Sequence, residues 1–497
     1  MNKKLSKHIG FSFLSILLLL SSCTQEDCIT NHISKLTLLV KTNNFVSSTE
    51  TRTPVEEGYK TVFKGGEQIG ITAIKNGAVY NGMDNIPFTY DATTGTWALP
   101  GNGLPQLYYY PGVTYIAYYP YDSNMNGKKS EQEIIDAFTP REDQSTYADY
   151  TASDLMTGTG TVTGSDGTRT ITFNLQHRMA MIIVKAKGYC YITSDGYEYS
   201  SPIYDFSLTL NSTSIQPYKM SPGNYRYLVL PTTISQKINI NFTETFNNRI
   251  SYETTYTALN AGKYYHTLLY NKKAQETRDL QPGDFYCNEG YIVPYDIVAV
   301  GEELPCKTQC IGIIYHVGQG DYDELSYYSG SGMASADKIH GYVIALKDAG
   351  SGNWGPRGNV APIPQIERNG GDNGKERPSY RGYKNTKNIL NDTGNSYPVF
   401  TYANQYNTAT PAPNTSSGWY LPTIQQMQDI YALYQNASGN VIYDSMQKVA
   451  GTLFNGLYWT ASQAYNLCSY NITMTNGAID SKRGKNDGGN SRAALTF

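Results

Sequence analysis

The sequence predicts a mainly β protein in which two tandem antiparallel β-sandwiches are followed by an α+β unit. Apolar and polar residues alternate with a period of two at many places before residue 276, as they do in strands with one buried face. The 497 residues include 45 Tyr and 46 Gly, which favour strands and turns over helices. Only 16% of the residues are charged, which argues against a charge-rich helical protein and against a disordered chain. At about 150 residues per domain, the length corresponds to roughly three domains.

Residues 1–22 are predicted to be a signal peptide. Three lysines precede an apolar run at residues 11–20, which is about half the roughly 20 residues that a membrane-spanning helix needs. Residues 20–23 (LSSC) resemble a bacterial lipobox, and this resemblance implies cleavage before Cys23 and lipidation of Cys23. An ordinary secretory peptide with a chance cysteine is the alternative. We therefore expect an outer-membrane lipoprotein precursor that is held by lipid and does not span the membrane.

The next segment, residues 23–52, is predicted to be a propeptide with one strand. Residues 36–41 (LTLLVK) have the aliphatic and β-branched composition of a strand. A polar segment at residues 42–51 separates this strand from Arg52.

Residues 53–276 are predicted to contain the two sandwiches, at residues 53–176 and 177–276. Apolar residues occupy every second position in four predicted strands, at residues 86–90, 171–175, 206–210 and 238–242. The turn at residues 91–95 is followed by further alternation, which predicts a hairpin. Residues 131–138 are the best candidate for a short helix in this part of the chain.

A short linker at residues 277–282 leads to the third predicted unit, residues 283–497. Two apolar runs, at residues 311–317 and 341–346, are typical of strands. Residues 350–418 are rich in Gly, Asn, Pro and Thr and show almost no periodicity. So long a stretch without regular elements predicts a functional surface loop.

A helix and a hairpin are predicted after this stretch. Thr423 and Gln426 have the spacing of a capping box, and apolar residues follow at helical spacing up to Tyr434. Near residue 476 the pattern alternates again, and Asn476 and Gly477 are a strong signal for a hairpin turn.

Several short motifs between residues 36 and 275 resemble the fimbrillin family, the major and minor pilins of Bacteroidales type V pili. The matching segments are residues 63–70 (FKGGEQIG), 118–121 (YYPY), 154–158 (DLMTG), 173–180 (FNLQHRMA), 228–231 (LVLP) and 261–265 (AGKYY). Each motif is weak alone, and their order and spacing carry the resemblance.

The resemblance implies an assembly route. In the family, a surface protease removes an N-terminal strand after an Arg, and the open groove then accepts a strand from another pilin. Here Arg52 is expected to be the processing site, because Lys41 lies within the predicted strand and Lys60 lies beyond the polar segment. The expected partners are other pilin subunits, bound by strand exchange in a surface fimbrium.

Motifs in the third unit resemble the C-type-lectin-like terminal domains of Bacteroidetes surface proteins. They are residues 283–286 (GDFY), 311–315 (IGIIY), 341–346 (GYVIAL), 418–422 (GWYLP) and 458–462 (YWTAS). This resemblance implies a lectin-like fold whose loops bind a ligand, with host or microbial glycans as candidate partners. Within residues 350–418 we expect ligand-binding side chains at Trp354, Tyr380, Tyr383 and Asn385, because aromatic faces stack on sugar rings. Trp419 and Trp459 belong to the scaffold motifs and are expected to be buried.

The sequence offers no constellation for catalysis and no cofactor motif. The net charge of −3 gives no electrostatic support for nucleic-acid binding. The four cysteines of the third unit, Cys287, Cys306, Cys310 and Cys468, are expected either to form a disulfide or to remain thiols, and a zinc site is a weaker alternative. Calcium binding at Asp487 is a further alternative to an ordinary polar turn.

Together these features predict a non-enzymatic subunit of a surface fimbrium, at the fimbrial tip, that mediates adhesion through its third unit. A minor or anchor pilin without its own ligand, or a surface glycan-binding lipoprotein, is the alternative.

Overall fold

The computed structural model describes residues 34–48, 61–165, 167–244, 248–269, 275–299, 302–358, 361–364 and 379–497. Three predicted features lie outside the described residues: the signal peptide at 1–22, the lipidation site Cys23 and the processing site Arg52.

The first unit is an eight-stranded sheet with two short helices. Its strand order is β1-β9-β8-β7-β3-β5-β6, and β4 pairs with β3. The elements are β1 (Thr37–Thr42), β2 (Val46–Ser47, which joins the next sheet), β3 (Gln68–Lys75), β4 (Ala78–Val79), β5 (Ile86–Asp91), β6 (Thr96–Ala98), β7 (Thr114–Tyr119), α1 (Glu131–Ala137), α2 (Tyr147–Ala152), β8 (Met156–Thr163) and β9 (Thr170–His177). A 3-10 turn at Ser123–Met125 precedes α1.

Local sequence signals explain several of these elements. The predicted hairpin is confirmed: β5 and β6 are antiparallel, and the Asp91 carboxylate accepts hydrogen bonds from the Thr93 amide and the Thr94 hydroxyl in the turn. The predicted short helix is also confirmed as α1, where the Ser130 hydroxyl caps the first turn by accepting a bond from the Glu133 amide.

The second unit contains two sheets that face each other and a small third sheet. The larger sheet has the order β15-β16-β10-β19-β2, the facing sheet β14-β13-β17-β18, and the small sheet β12-β11-β20. The strands are β10 (Ala180–Ala186), β11 (Cys190–Ile192), β12 (Glu198–Ser200), β13 (Tyr204–Leu210), β14 (Thr213–Ile215), β15 (Tyr218–Ser221), β16 (Asn224–Val229), β17 (Gln236–Thr243), β18 (Arg249–Tyr256), β19 (Lys263–Leu269) and β20 (Gln275–Thr277).

Strand β10 shows how the second unit is packed on both sides. Ile182 and Val184 lie in the core between the two facing sheets, with Ile238 and Ile240 of β17. The alternate residues, including Met181, lie in a separate cluster with side chains of the first unit. Both faces of β10 are therefore buried, which explains its continuous apolar sequence.

The prediction of purely antiparallel sheets is wrong. β1 pairs in parallel with β9, β10 with β19, β19 with β2, and β11 with β20. Period-two alternation indicates a half-buried strand but carries no information on its direction, so the parallel pairs could not be read from the pattern.

The third unit is an eight-stranded sheet with helices on both faces. Its strand order is β22-β21-β23-β24-β28-β25-β26-β27. The elements are β21 (Phe285–Cys287), β22 (Ile292–Val293), β23 (Cys310–Val317), β24 (Gly341–Asn353), α3 (Gly382–Leu390), α4 (Pro398–Ala409), α5 (Ile424–Tyr434), α6 (Val441–Lys448), β25 (Leu457–Gln463), β26 (Ser469–Thr473), β27 (Ala478–Asp480) and β28 (Gly488–Thr496). Two 3-10 turns, Tyr295–Ile297 and Leu325–Tyr328, complete it.

Two cores lie on the two faces of this sheet. Ile313 and Ile344 belong to one core, with Met427 of α5, whereas their neighbours Ile314 and Val343 belong to the other. The predicted helix is confirmed as α5, which begins with the capping box. The backbone amide of Gln426 donates to the Thr423 hydroxyl at 3.3 Å, and the backbone amide of Thr423 donates to the side-chain Oε1 of Gln426 at 2.9 Å. The predicted hairpin turn lies between β26 and β27.

The prediction that residues 350–418 are an irregular surface loop is wrong. β24 extends to Asn353, and two helices, α3 and α4, lie in the remainder. Helix α3 buries Tyr383, Thr386 and Ile389 at helical spacing, but two of these side chains are polar or amphipathic, so no apolar period was visible.

The segment predicted as a linker between the second and third units is held firmly. The Arg278 guanidinium donates two hydrogen bonds, of 2.8 and 2.9 Å, to the buried carboxylate of Asp284. Tyr191 and Tyr199 of the small sheet lie in one core cluster with side chains of the third unit. The small sheet therefore fixes the second unit against the third.

In the described part of the chain, no helix combines the length and the apolar character that crossing a membrane requires.

Candidate functional site

The N-terminal segment, residues 34–48, lies along two sheets in succession. β1 is an edge strand of the first sheet, and its partners on β9 run from Thr170, opposite Thr37, to Leu175, opposite Thr42. β2 is an edge strand of the larger sheet of the second unit, beside β19. The predicted strand at residues 36–41 is therefore confirmed, and it is peripheral.

Side chains of β1 alternate between the core and solvent. Leu36 is buried in the core of the first unit, and Leu38 and Val40 pack against the same core. Leu39 points outward and is 42% exposed. The backbone is bonded at both ends: the Thr37 amide donates to the Arg169 carbonyl, and the Asn43 amide donates to the Leu175 carbonyl, each at 3.0 Å.

The polar segment predicted at residues 42–51 contains a buried aromatic anchor. Phe45 is only 4% exposed, and its ring stacks on the imidazole of His177 with 3.8 Å between centroids. Beyond it, the Val46 amide donates to the Gly262 carbonyl and the Ser48 amide to the Tyr264 carbonyl, both at 3.0 Å. Burying a Phe side chain contributes roughly 1.5–3 kcal/mol.

A buried hydrogen bond supports the imidazole. His177 Nδ1 lies 2.7 Å from Asp154 Oδ1, and both residues are buried. The other carboxylate oxygen accepts a 3.0 Å bond from the Thr61 hydroxyl, and the Thr61 carbonyl accepts one from Thr42. Two motifs that carry the fimbrillin resemblance, at residues 154–158 and 173–180, therefore meet at this pair.

This arrangement makes the N-terminal segment separable from the rest of the core. Its loss would leave unpaired N–H and C=O groups on β9 and β19, together with the apolar sites of Leu36, Leu38 and Phe45. Exposed strand edges and apolar grooves are what an incoming strand pairs with. Sequence reasoning found β1 but missed Phe45, Asp154 and His177; the lone aromatic within a polar segment was the available signal for Phe45.

The four residues predicted to bind a ligand are buried, so the prediction that they form an exposed stacking surface is wrong. Trp354 donates from its indole nitrogen to the Thr460 carbonyl at 2.8 Å, and Asn385 donates to the Ala461 carbonyl at 2.8 Å. The Tyr380 hydroxyl donates to Asp429, and the Tyr383 ring stacks on Tyr328. They support helices and strands of the third unit.

The burial predicted for the two scaffold tryptophans is confirmed. Trp419 and Trp459 are both buried, and the Trp419 indole donates a 2.7 Å bond to the Thr410 carbonyl. Both lie in the core that also contains α4.

A network of buried hydroxyl groups surrounds Asp323 in the third unit. The hydroxyls of Tyr328 and Tyr342 donate to the same carboxylate oxygen, at 2.5 and 2.8 Å. Tyr328 and Tyr420 both contact the Thr496 hydroxyl on β28. Burial raises the pKa of Asp323 to about 6, although the two tyrosine bonds oppose this shift.

The cysteines of the third unit are thiols in the described part of the chain. Cys287, Cys306 and Cys310 are buried, and Cys468 is half-buried. Contact with the thiol of Cys306, and then burial, raises the pKa of Cys287 well above its usual value. The described residues contain no group of three His, Cys, Asp or Glu side chains that could hold a metal ion, and Asp487 accepts a turn bond from the Gly484 amide.

Comparison with known proteins connects this geometry to a family. Residues 51–279 match the family model described as fimbrillin-like. Members of this family are structural, non-enzymatic proteins, in agreement with the sequence prediction.

Two relatives resemble the chain over nearly its whole length. The candidate fimbrium tip subunit Fim1C of Bacteroides ovatus is 26% identical, and the alignment covers 95% of each protein. A solved fimbrial protein of Bacteroides ovatus is 22% identical, with a TM-score of 0.53 over 94% of this chain and 100% of that one. At this identity the second likeness shows the fold alone, and it extends through the third unit.

Proposed function

We propose that the protein is a subunit at the tip of a cell-surface fimbrium, that it accepts a strand from another pilin after proteolytic processing, and that its third unit mediates adhesion. The fimbrillin-like region and the likeness to the tip-subunit candidate Fim1C support a fimbrial role. We adopt the division into a propeptide (23–52), two pilin subdomains (53–176 and 177–276) and a lectin-like unit (283–497).

The observation that carries the proposal is the edge position of the N-terminal segment. Residues 34–48 cover one edge of each of two sheets, and the family match begins at residue 51, next to Arg52. Cleavage after Arg52 would free this segment and remove only the first two residues of the fimbrillin-like region. The groove would then accept a partner's strand by donor-strand complementation.

The C-terminal strand supports a tip position. β28 lies between β24 and β25 in the middle of its sheet, and Ala493, Ala494 and Leu495 are fully buried. Giving this strand to a neighbour would open both cores of the third unit. The subunit therefore accepts a strand and does not donate β28, as expected at a tip.

The third unit is proposed to bind host or microbial glycans. The motifs of the lectin-like resemblance are structural here: residues 418–422 lead into α5, and residues 458–462 lie in β25. The ligand surface must involve side chains other than Trp354, Tyr380, Tyr383 and Asn385, because these are buried.

Processing is tested by replacing Arg52. Arg52→Ala should leave a full-length lipoprotein that joins no fimbrium, whereas the control Lys60→Ala should be processed and assembled normally. The measurement is the N-terminal sequence of protein recovered from sheared fimbriae. If wild-type protein in fimbriae begins at Cys23, the processing proposal is wrong.

Lipidation is tested with a palmitate analogue. Cys23→Ala should abolish labelling, and Cys28→Ala should keep it, because only Cys23 follows the lipobox. Label retained on the first variant would exclude Cys23 as the anchor.

Position is tested in wild-type cells, and adhesion is tested in cells that lack this subunit. Antibody–gold labelling of wild-type fimbriae should mark the tip; labelling at the base would favour the anchor-pilin alternative. Cells without the subunit should keep their fimbriae and lose binding to mucin and to a glycan array. Unchanged binding would remove the adhesive role and leave the structural one.

A further inference from the structure

We propose that the site filled by Phe45 is the specificity pocket for strand exchange, and that the partner strand replacing residues 34–48 must place an aromatic side chain there. This inference rests on the proposed strand exchange and adds the chemistry of the partner strand: apolar side chains at positions i, i+2 and i+4, and an aromatic ring at i+9.

Phe45 differs from its neighbours in the segment. It is 4% exposed, like Leu36, whereas the adjacent Val46 is 50% exposed. Leu38 and Val40 are half-buried, so the segment has two deeply buried positions and they are nine residues apart. A strand that fills only the first part of the groove would leave the second empty.

The pocket lies where the first and second units meet. Phe45 belongs to a cluster that combines Ile116 and Leu155 of the first unit with Met181 and Ile183 on β10 of the second. A ring in this position contributes to the core that holds the two units together. An occupied pocket therefore indicates that the partner strand is bound along both sheets.

The pocket favours a planar ring. The imidazole of His177 forms one wall, and the two rings are stacked with an angle of 27° between their planes. Nδ1 of His177 is bonded to Asp154, but among the described residues its buried Nε2 has no hydrogen-bond partner. A smaller aliphatic side chain would leave a void beside this nitrogen, and voids in a packed core are costly.

The spacing between the two deeply buried positions restricts which partner strands can fill the pocket. Side chains at an odd offset lie on opposite faces of a regular strand, and Phe45 lies in a different core cluster from Leu36, Leu38 and Val40. The segment leaves the first sheet after β1, which ends at Thr42, and joins the second unit at β2, which begins at Val46. A partner strand whose apolar residues continue only at even offsets from i would leave the pocket empty.

The test uses the full unprocessed chain, which still carries residues 34–48, with a specific protease site inserted after Arg52. After cleavage, a fluorescent label on the N-terminal segment reports its release when excess unlabelled peptide of residues 34–48 is added. In the Phe45→Ala variant the labelled segment should be released at least tenfold faster than in the wild type. The release rate of the Phe45→Leu variant should be intermediate, and that of the Phe45→Tyr variant should stay near the wild-type rate. The control Val46→Ala should change release by less than twofold.

A second measurement leaves the protein unchanged, in case a variant folds poorly. Peptides of residues 34–48 compete for the cleaved wild-type chain, and the Phe45→Ala peptide should require at least tenfold higher concentration than the Val46→Ala peptide. Equal competition by these two peptides would overturn the aromatic requirement but leave strand exchange intact. Failure of every peptide, including the wild-type one, to displace the segment would overturn both proposals.

Discussion

The first and last described strands of the protein differ in how firmly their sheets hold them. β1 is an edge strand with one neighbour, and every second side chain faces solvent. β28 has β24 on one side and β25 on the other, and its last six residues are buried. An edge strand leaves its sheet by losing one neighbour, whereas a central strand must lose two, so the proposed exchange fits β1 and not β28.

The two strands also differ in what their loss would expose. Removing residues 34–48 opens one edge in each of two sheets and leaves both facing layers of the second unit in place. Removing β28 would divide the sheet of the third unit and break the contact of the buried Arg492 side chain with Asp348. The loss of residues 34–48 would therefore disturb the described sheets less than the loss of β28.

The largest effect is expected for Leu495→Ala on β28. Leu495 is fully buried within the central strand of its sheet, so truncation leaves a cavity that the surrounding strands cannot fill by moving. We expect a loss of about 2–5 kcal/mol in the free energy of unfolding of the third unit. Urea denaturation followed by the fluorescence of the tryptophans, three of which lie in this unit, measures it.

A matched control for this variant is Leu467→Ala, a truncation of the same size in the third unit at a side chain that is 47% exposed. It should change the free energy of unfolding by less than about 0.5 kcal/mol. A similar loss in the free energy of unfolding for both variants would mean that Leu495 is packed no more tightly than the exposed Leu467.

The strands at the two ends show how much of the fold was readable from the sequence. Alternation and turn residues predicted β1, the hairpin of β5 and β6, and the hairpin turn after β26, because these signals are local. They did not predict which strands are neighbours or that four pairs in the first two units are parallel. Pairing is decided by contacts between distant residues, as for β10 and β19, which are separated by most of the second unit.

The candidate site was predictable in part for the same reason. Residues 36–41 have a strong local signal, but the role of Phe45 depends on His177 and Asp154, which are distant in sequence. The aromatic residues of α3 and of the turn before it were misinterpreted as exposed. Their hydroxyl and amide groups are satisfied by buried partners, such as Asp429 and the Ala461 carbonyl, and composition alone cannot reveal these partners.

An intermediate effect is expected from pH, acting on the third unit through Asp323. Its pKa is about 6 in the folded protein, against 3.8 as the ordinary value, so the folded state binds more protons than the unfolded chain between these pH values. The free energy of unfolding should therefore fall as pH rises from about 4 to 6, by on the order of 2–3 kcal/mol, and this loss should be complete above pH 6.

Urea denaturation at intervals of pH measures this dependence, and Asp323→Asn provides the control. The amide does not titrate, so the variant should lose the slope between pH 4 and 6 even if its stability is lower at every pH. A slope that persists in the variant would assign the dependence to other carboxylates.

The smallest effect is expected on β1, where two adjacent leucines allow a matched comparison. Leu38 packs against the core of the first unit, whereas Leu39 is 42% exposed. Leu38→Ala should lower the free energy of unfolding by about 1 kcal/mol, because only part of its side chain leaves water on folding, and Leu39→Ala should change it by less than about 0.5 kcal/mol. Both values should lie below that of Leu495→Ala, measured in the same uncleaved chain. If Leu38→Ala costs as much as Leu495→Ala, the edge strand is held as firmly as the central one, and its release after processing would need a source of energy other than a better-fitting partner strand.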